Sequence, residues 1–202
     1  MNKTLFITYP RSGHTFLIRK VLLPYFENKK VYCEYYSCCK TFPCIKMKNL
    51  MKNHDFNLDL PKLKNINYVL QVRHPYLSIQ SWFDHQVHYS KIKSSKRVWN
   101  KFLEEKLDFW DKFINKNLPL SDKVLTYDEL TENLDLILKN LLISIQATDS
   151  LDTKKIKYLL DNNKKFSQRD PSIHKFFNTK DIIEIENRFR DKFDVLNLKS
   201  FF

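Results

Sequence analysis

Residues 3 to 16, Lys-Thr-Leu-Phe-Ile-Thr-Tyr-Pro-Arg-Ser-Gly-His-Thr-Phe, constrain this chain more than any other stretch. Leu5-Phe6-Ile7 has the length and residue types of a buried strand. Pro10 and Gly13 interrupt it, and apolar residues at Phe16, Ile18, Val21, Leu22 and Tyr25 then recur at helical spacing. A strand, a tight turn and a helix point backbone N–H groups and a helix N-terminus at an anion. Gly13 is the single glycine among 202 residues, where an average chain would carry about 7%. Two readings of the turn stand side by side. It is an ordinary βα turn whose glycine relieves backbone strain, or a phosphate cradle with Arg11, Ser12 and Thr15 as side-chain donors.

The pattern is not the usual nucleoside-triphosphate loop. That loop needs G-x-x-x-x-G-K-[ST], but the first glycine is missing here and His14 stands in place of the lysine. Thr8-Tyr9-Pro10-Arg11-Ser12-Gly13-His14-Thr15-Phe16 resembles instead the 5′-phosphosulfate loop of the sulfotransferases that use 3′-phosphoadenosine 5′-phosphosulfate (PAPS), written T-Y-P-K-S-G-T-T-W. Arg11 replaces Lys, His14 replaces Thr and Phe16 replaces Trp.

Three later segments extend the resemblance in the family's order. Lys52-Asn53-His54 is similar to the K-T-H or K-S-H segment, with Asn53 in the hydroxyl residue's place. Asn67 to Val72 reads as a buried strand, and Arg73-His74-Pro75 through Ser81 resembles the 3′-phosphate segment R-N-P-x-D-x-x-x-S. Pro75 suits a helix start, where its missing N–H costs nothing. Arg73 alone reads either as a surface ion pair or as a ligand group at a strand end, where open α/β sheets bind ligands. Asp122 to Tyr127 reads as another strand, and Tyr127-Asp128-Glu129-Leu130 is similar to Y-E-D-L with the acidic pair reversed. Gln168-Arg169-Asp170-Pro171 through Thr179 is a loose counterpart of the family's R-K-G loop without its glycine, from which only Arg169 is carried over. Thr179 is expected to cap the last helix.

The resemblance implies one α/β domain over residues 1–202, in three α/β/α layers, with a central parallel sheet and a P-loop-like phosphosulfate turn. It implies PAPS as sulfuryl donor, no metal, and a hydroxyl or amine acceptor, carbohydrate included. His54 would be the general base, with Arg11, Lys52 and Ser81 completing the catalytic set. The cofactor would meet Arg11, Ser12, Gly13, His14, Thr15, Phe16, Arg73, Ser81, Tyr127 and Arg169. His14 and Glu34 are the other candidate bases. Residues 33–50 and the segment after Phe83 are expected to line the acceptor site. A P-loop nucleotide or small-molecule kinase and a basic, non-catalytic nucleic-acid binder are the alternatives.

The remaining chain sets bounds. A length of 202 residues and 43% hydrophobic content fit one globular domain. With 35 Lys and Arg against 23 Asp and Glu, the net charge of +12 favours anionic partners. The basic residues are scattered and form no compact block with interleaved aromatics, so specific nucleic-acid binding is not expected. No stretch reaches the roughly eighteen apolar residues of a membrane span, and no secretory signal is evident; a cytoplasmic setting with reduced cysteines is expected. Cys33, Cys38, Cys39 and Cys44 invite a zinc reading, but C-x4-C-C-x4-C matches none of the common zinc patterns. The expectation is a packed loop of free thiols. Val31–Tyr36 is expected as a second strand, and helices are expected over 96–116, after Asn133 to about Ile145, and near 152–163 and 179–191.

Overall fold

A computed structural model of the chain describes residues 2–27, 31–89, 91–146, 150–162 and 170–201. Five strands form one parallel sheet: β1 (Lys3–Thr8), β2 (Tyr32–Glu34), β3 (Leu50–Asn53), β4 (Ile66–Val72) and β5 (Lys123–Thr126), in the order β2-β3-β1-β4-β5. The central pairings run Leu5 against Tyr68 and Ile7 against Leu70 on one side, and Leu5 against Met51 on the other.

Apolar side chains emerge on both faces of β1 and β4, as a doubly covered parallel sheet demands. Leu5, Ile7, Tyr68, Leu70 and Val72 join one core. Over it lie α3 (Pro75–His88), α4 (Lys96–Asn117), α8 (Thr179–Arg188) and α9 (Arg190–Leu196), through Phe83, Trp99, Trp110, Ile182 and Phe193. Phe6, Val69 and Leu125 join a second core on the opposite face, with Ile18, Leu22, Leu141 and Ile156. That face is covered by the N-terminal helical segment, by α6 (Leu134–Gln146) and by α7 (Thr153–Asn162). The fold is α/β with a five-stranded all-parallel sheet. Among the described residues no helix is long and apolar enough to cross a membrane.

The helix after β1 runs from α1 (His14–Phe16) through a π-helical stretch, Leu17–Leu22, into α2 (Leu23–Phe26). The wider register ends where Leu23 N–H donates to the Ile18 carbonyl, one residue before Pro24, which has no N–H to donate. The sequence placed most elements correctly and missed some. β3 was not foreseen as a strand: Leu-Met-Lys-Asn carries no β-branched residue and half of it is polar. Only Tyr32–Glu34 of the expected second strand is extended, and Tyr35–Ser37 is a 3-10 turn. The helix expected after Asn133 is α6, ending at Gln146, and a short helix that was not expected, α5 (Tyr127–Glu132), precedes it. Asn178, not Thr179, caps α8, its side chain accepting from Lys180 N–H at 3.1 Å, and α9 follows as a further short helix.

Candidate active site

In a parallel sheet every strand ends on the same edge, and here all five deliver a polar or aromatic group to it. β1 leads into Arg11-Ser12-Gly13, β2 ends at Glu34, β3 brings Lys52 and His54, β4 is followed by Arg73 and β5 by Tyr127. These residues line one open cleft of about 1140 Å³.

The turn is held from beneath by the sheet. Tyr9 N–H donates to the Gln71 carbonyl at 3.0 Å, and Tyr9 OH donates to the Lys106 carbonyl at 3.0 Å. Its ring packs among Trp82, Phe109 and Phe113. Arg11 and Gly13 then take left-handed backbone, φ 67° and 85°. Glycine adopts that conformation without penalty, whereas at Arg11 the surrounding structure must hold it. Gln71 projects from the same face of β4 as Val69 and reaches the turn: its Nε2 donates to the Ser12 carbonyl at 2.8 Å. Its Oε1 accepts from His14 Nδ1 at 2.9 Å, and Tyr32 OH donates to His14 Nε2 at 3.4 Å. Both ring nitrogens of His14 are thus committed. Burial, followed by the charge of Lys52, holds His14 well below its ordinary pKa against the opposing Gln71 bond, so the ring is neutral. Gln71 had not been singled out from the sequence; the signal was one polar residue inside an apolar run that otherwise reads as core.

The loop also reaches across the cleft. Arg11 Nε donates to Ser81 Oγ at 3.1 Å, joining positions 70 residues apart. Ser12 is buried, and its hydroxyl has no hydrogen-bond partner among the described residues. Thr15 is exposed on the cleft wall. Phe16 does not line the cleft and packs against the second core.

Arg73 is 8% exposed, and its guanidinium lies 4.1 Å above the Tyr127 ring. A capping box places Tyr127: Thr126 Oγ1 accepts from Glu129 N–H and Glu129 Oε2 accepts from Thr126 N–H. Arg73 Nε has no hydrogen-bond partner, and no carboxylate forms an ion pair with the group, among the described residues. Burial lowers the Arg73 pKa, offset in part by Tyr127 and Asp128. Burial raises the Asp128 carboxyl, which Arg73 partly opposes. A buried cation short of hydrogen-bond acceptors is costly unless an anion joins it.

On the other side of the cleft, Lys52 Nζ donates to Glu34 Oε1 at 2.8 Å across the β2–β3 register pair. Burial favours the neutral Glu34 acid, but the Lys52 bond and charge prevail and keep its pKa below the ordinary value. Glu34 Oε1 is thus committed to Lys52, and protonating the carboxylate would cost that ion pair. His54 Nδ1 donates to the Thr8 carbonyl at 2.6 Å, which leaves Nε2 as the accepting nitrogen. Burial, then the Lys52 charge, push His54 down to about 4. Asn53 serves the turn: its Oδ1 accepts from Asp55 N–H at 2.8 Å, and Asp55 Oδ1 accepts from Leu60 N–H at 3.0 Å. Phe56 and Trp82, ring centroids 6.0 Å apart, wall the cleft beside His54.

Arg11, Ser12, Gly13, His14, Thr15, Lys52, His54, Arg73, Ser81 and Tyr127 therefore share one cleft. Arg169 lies outside the described residues. Of residues 33–50 only Glu34 reaches the cleft, whereas Asp84, His85, Gln86 and His88 of α3 do line it. The chain matches no protein-family model and no curated protein.

Proposed function

We propose that this chain moves a sulfuryl group from PAPS to a hydroxyl or amine acceptor. The observation that carries the reading is Arg73, a buried guanidinium stacked on Tyr127 with Nε lacking a hydrogen-bond partner among the described residues. It lines the same cleft as the Arg11 loop. Two cationic groups on one cleft suit a ligand phosphorylated at two positions, as PAPS is at 5′ and 3′.

In the proposed reaction the acceptor oxygen or nitrogen forms a bond to sulfur as the bond from sulfur to the bridging phosphate oxygen breaks. The acceptor proton goes to His54 Nε2. The electron pair of the broken bond stays on the bridging oxygen, and the product nucleotide is adenosine 3′,5′-bisphosphate. Arg11 and the N–H groups at the start of α1 offset the charge developing there. Lys52 acts on the base: its charge keeps the free His54 ring unprotonated, and the negative charge of bound PAPS would raise its basicity toward the working pH. Phe56 and Trp82 offer flat apolar walls to a sugar ring or a phenol.

A kinase reading is weaker because His14, in the Walker lysine's position, has both ring nitrogens engaged by Gln71 and Tyr32. The test is thermal stabilisation by nucleotides. Adenosine 3′,5′-bisphosphate is expected to raise the melting temperature well beyond AMP at equal concentration, since only a ligand bound tightly by the native state shifts it. Equal shifts with both nucleotides would remove the 3′-phosphate assignment.

A further inference from the structure

The four cysteines converge on one point. Their Sγ atoms all lie within 4.8 Å of one another, with Cys33 and Cys39 at 3.8 Å and Cys39 and Cys44 at 3.6 Å. None forms a disulfide. A zinc ion bound by four thiolates at about 2.3 Å sets its sulfurs about 3.8 Å apart along each tetrahedral edge. A multi-iron cluster would hold them farther apart, because several metals sit between the thiolates. We propose that Cys33, Cys38, Cys39 and Cys44 bind one zinc ion in a closed, four-coordinate structural site.

The backbone explains why a spacing unlike the common zinc patterns arrives at this geometry. Cys33 sits on β2, in register with Met51, and is fixed by the sheet. The 3-10 turn Tyr35–Ser37 reverses the chain, with Cys38 N–H donating to the Glu34 carbonyl at 2.9 Å. Lys40 then takes φ 53°, and its N–H donates to the Tyr35 carbonyl at 3.0 Å. Adjacent Cys38 and Cys39 can thereby both face the buried Cys33, and Cys44 returns from the far side of the loop, also buried.

Apolar packing gives this loop little support. Residues 38–49 contain no helix or strand, and Ile45 and Met47 are 69% and 72% exposed. Its contacts with the core are Phe42, edge-on to Tyr68, and the cysteines themselves. Long irregular segments in compact domains need some such fixing element. Zinc with four thiolates carries two net negative charges, and Lys40, Lys46 and Lys48 of the same loop supply positive charge. The ion would tie the end of β2 to the approach to β3. It would thus hold Tyr36, whose ring stacks on His54 at 6.4 Å and 18°. None of the four cysteines lines the cleft, so the site is structural, and it stands independently of the sulfuryl-transfer reading.

Binding requires the thiols to lose their protons, so zinc is released in acid. The experiment is metal analysis of the full chain purified under reducing conditions, followed by replacement of zinc with Co²⁺. One zinc per chain is expected, with the ligand-field absorption of a tetrahedral cobalt–thiolate centre after exchange. Cys39→Ser and Cys44→Ser should each lose stoichiometric zinc and that absorption. Should those variants fail to fold, the cobalt spectrum of the wild-type chain still decides. Zinc-free protein with four alkylatable thiols, protein whose thiols pair as two disulfides in place of metal, or zinc retained fully by both serine variants would each overturn the proposal.

Discussion

His54→Ala is expected to lower turnover by roughly 10²-fold or more, the usual scale for losing a general base. Affinity for adenosine 3′,5′-bisphosphate should change little. The prediction rests on the division of labour within the ring: Nδ1 donates to the Thr8 carbonyl and Nε2 remains the acceptor. His54→Asn can keep a donor for Thr8 while removing the base, so it should be as inactive as the alanine variant with the loop left in place. The ring accepts a proton only when neutral, and activity therefore falls as pH drops through its pKa. Burial and the Lys52 charge put that pKa at about 4, so the acidic limb of kcat/KM should lie near 4 in wild type and vanish in His54→Ala. Lys52→Met removes part of the depression and should move the limb upward. Bound PAPS brings negative charge, so the limb of kcat should lie above that of kcat/KM. Near-normal turnover in His54→Ala, with activity abolished in His14→Ala or Glu34→Ala, would move the base elsewhere. His14→Ala is the loop control. Losing the Gln71 and Tyr32 bonds should weaken binding on the 5′-phosphate side.

Arg73→Ala should weaken adenosine 3′,5′-bisphosphate binding by about 1.5–3 kcal/mol, the scale of charge-assisted hydrogen bonds, or roughly 10- to 150-fold in dissociation constant. AMP binding should change far less, because the loss is assigned to the 3′-phosphate. The fold is expected to survive: Arg73 forms no ion pair among the described residues, and its removal relieves a buried charge. Arg73→Lys should recover only part of the affinity, since an ammonium lacks the planar fork and stacks less well on Tyr127. A dissociation constant unchanged in Arg73→Ala would make the guanidinium a structural group and remove the 3′-phosphate reading.

Much of this architecture could be read from residue order. Leu5-Phe6-Ile7 and Tyr68-Val69-Leu70 are apolar on both faces, as strands of a parallel sheet covered on both sides are. Pro10, Gly13 and Pro75 mark the points where chain leaves a strand toward the cleft. What escaped was set by contacts between distant segments. β3 is a strand because β1 and β2 pair with it, not because Leu-Met-Lys-Asn prefers to be one. Lys52 reads as a free catalytic cation until its partner across the register, Glu34, is in view. Gln71 has no local signature beyond its polarity, yet it links the sheet to Ser12 and His14. The cysteine spacing matches no common zinc pattern, and only the turn through Tyr35–Ser37 and Lys40 shows why the sulfurs meet.

Transfer itself is the most direct measurement. The wild-type chain is incubated with PAPS labelled in its sulfuryl group, in magnesium-free buffer, with a panel of sugars, phenols and amines, and in parallel with ATP–magnesium labelled in its γ-phosphate. Sulfuryl transfer would put label on an acceptor from PAPS alone, with adenosine 3′,5′-bisphosphate formed in equal amount and the rate cut sharply in His54→Ala. PAPS left intact across the panel while the γ-phosphate of ATP passes to an acceptor would contradict it.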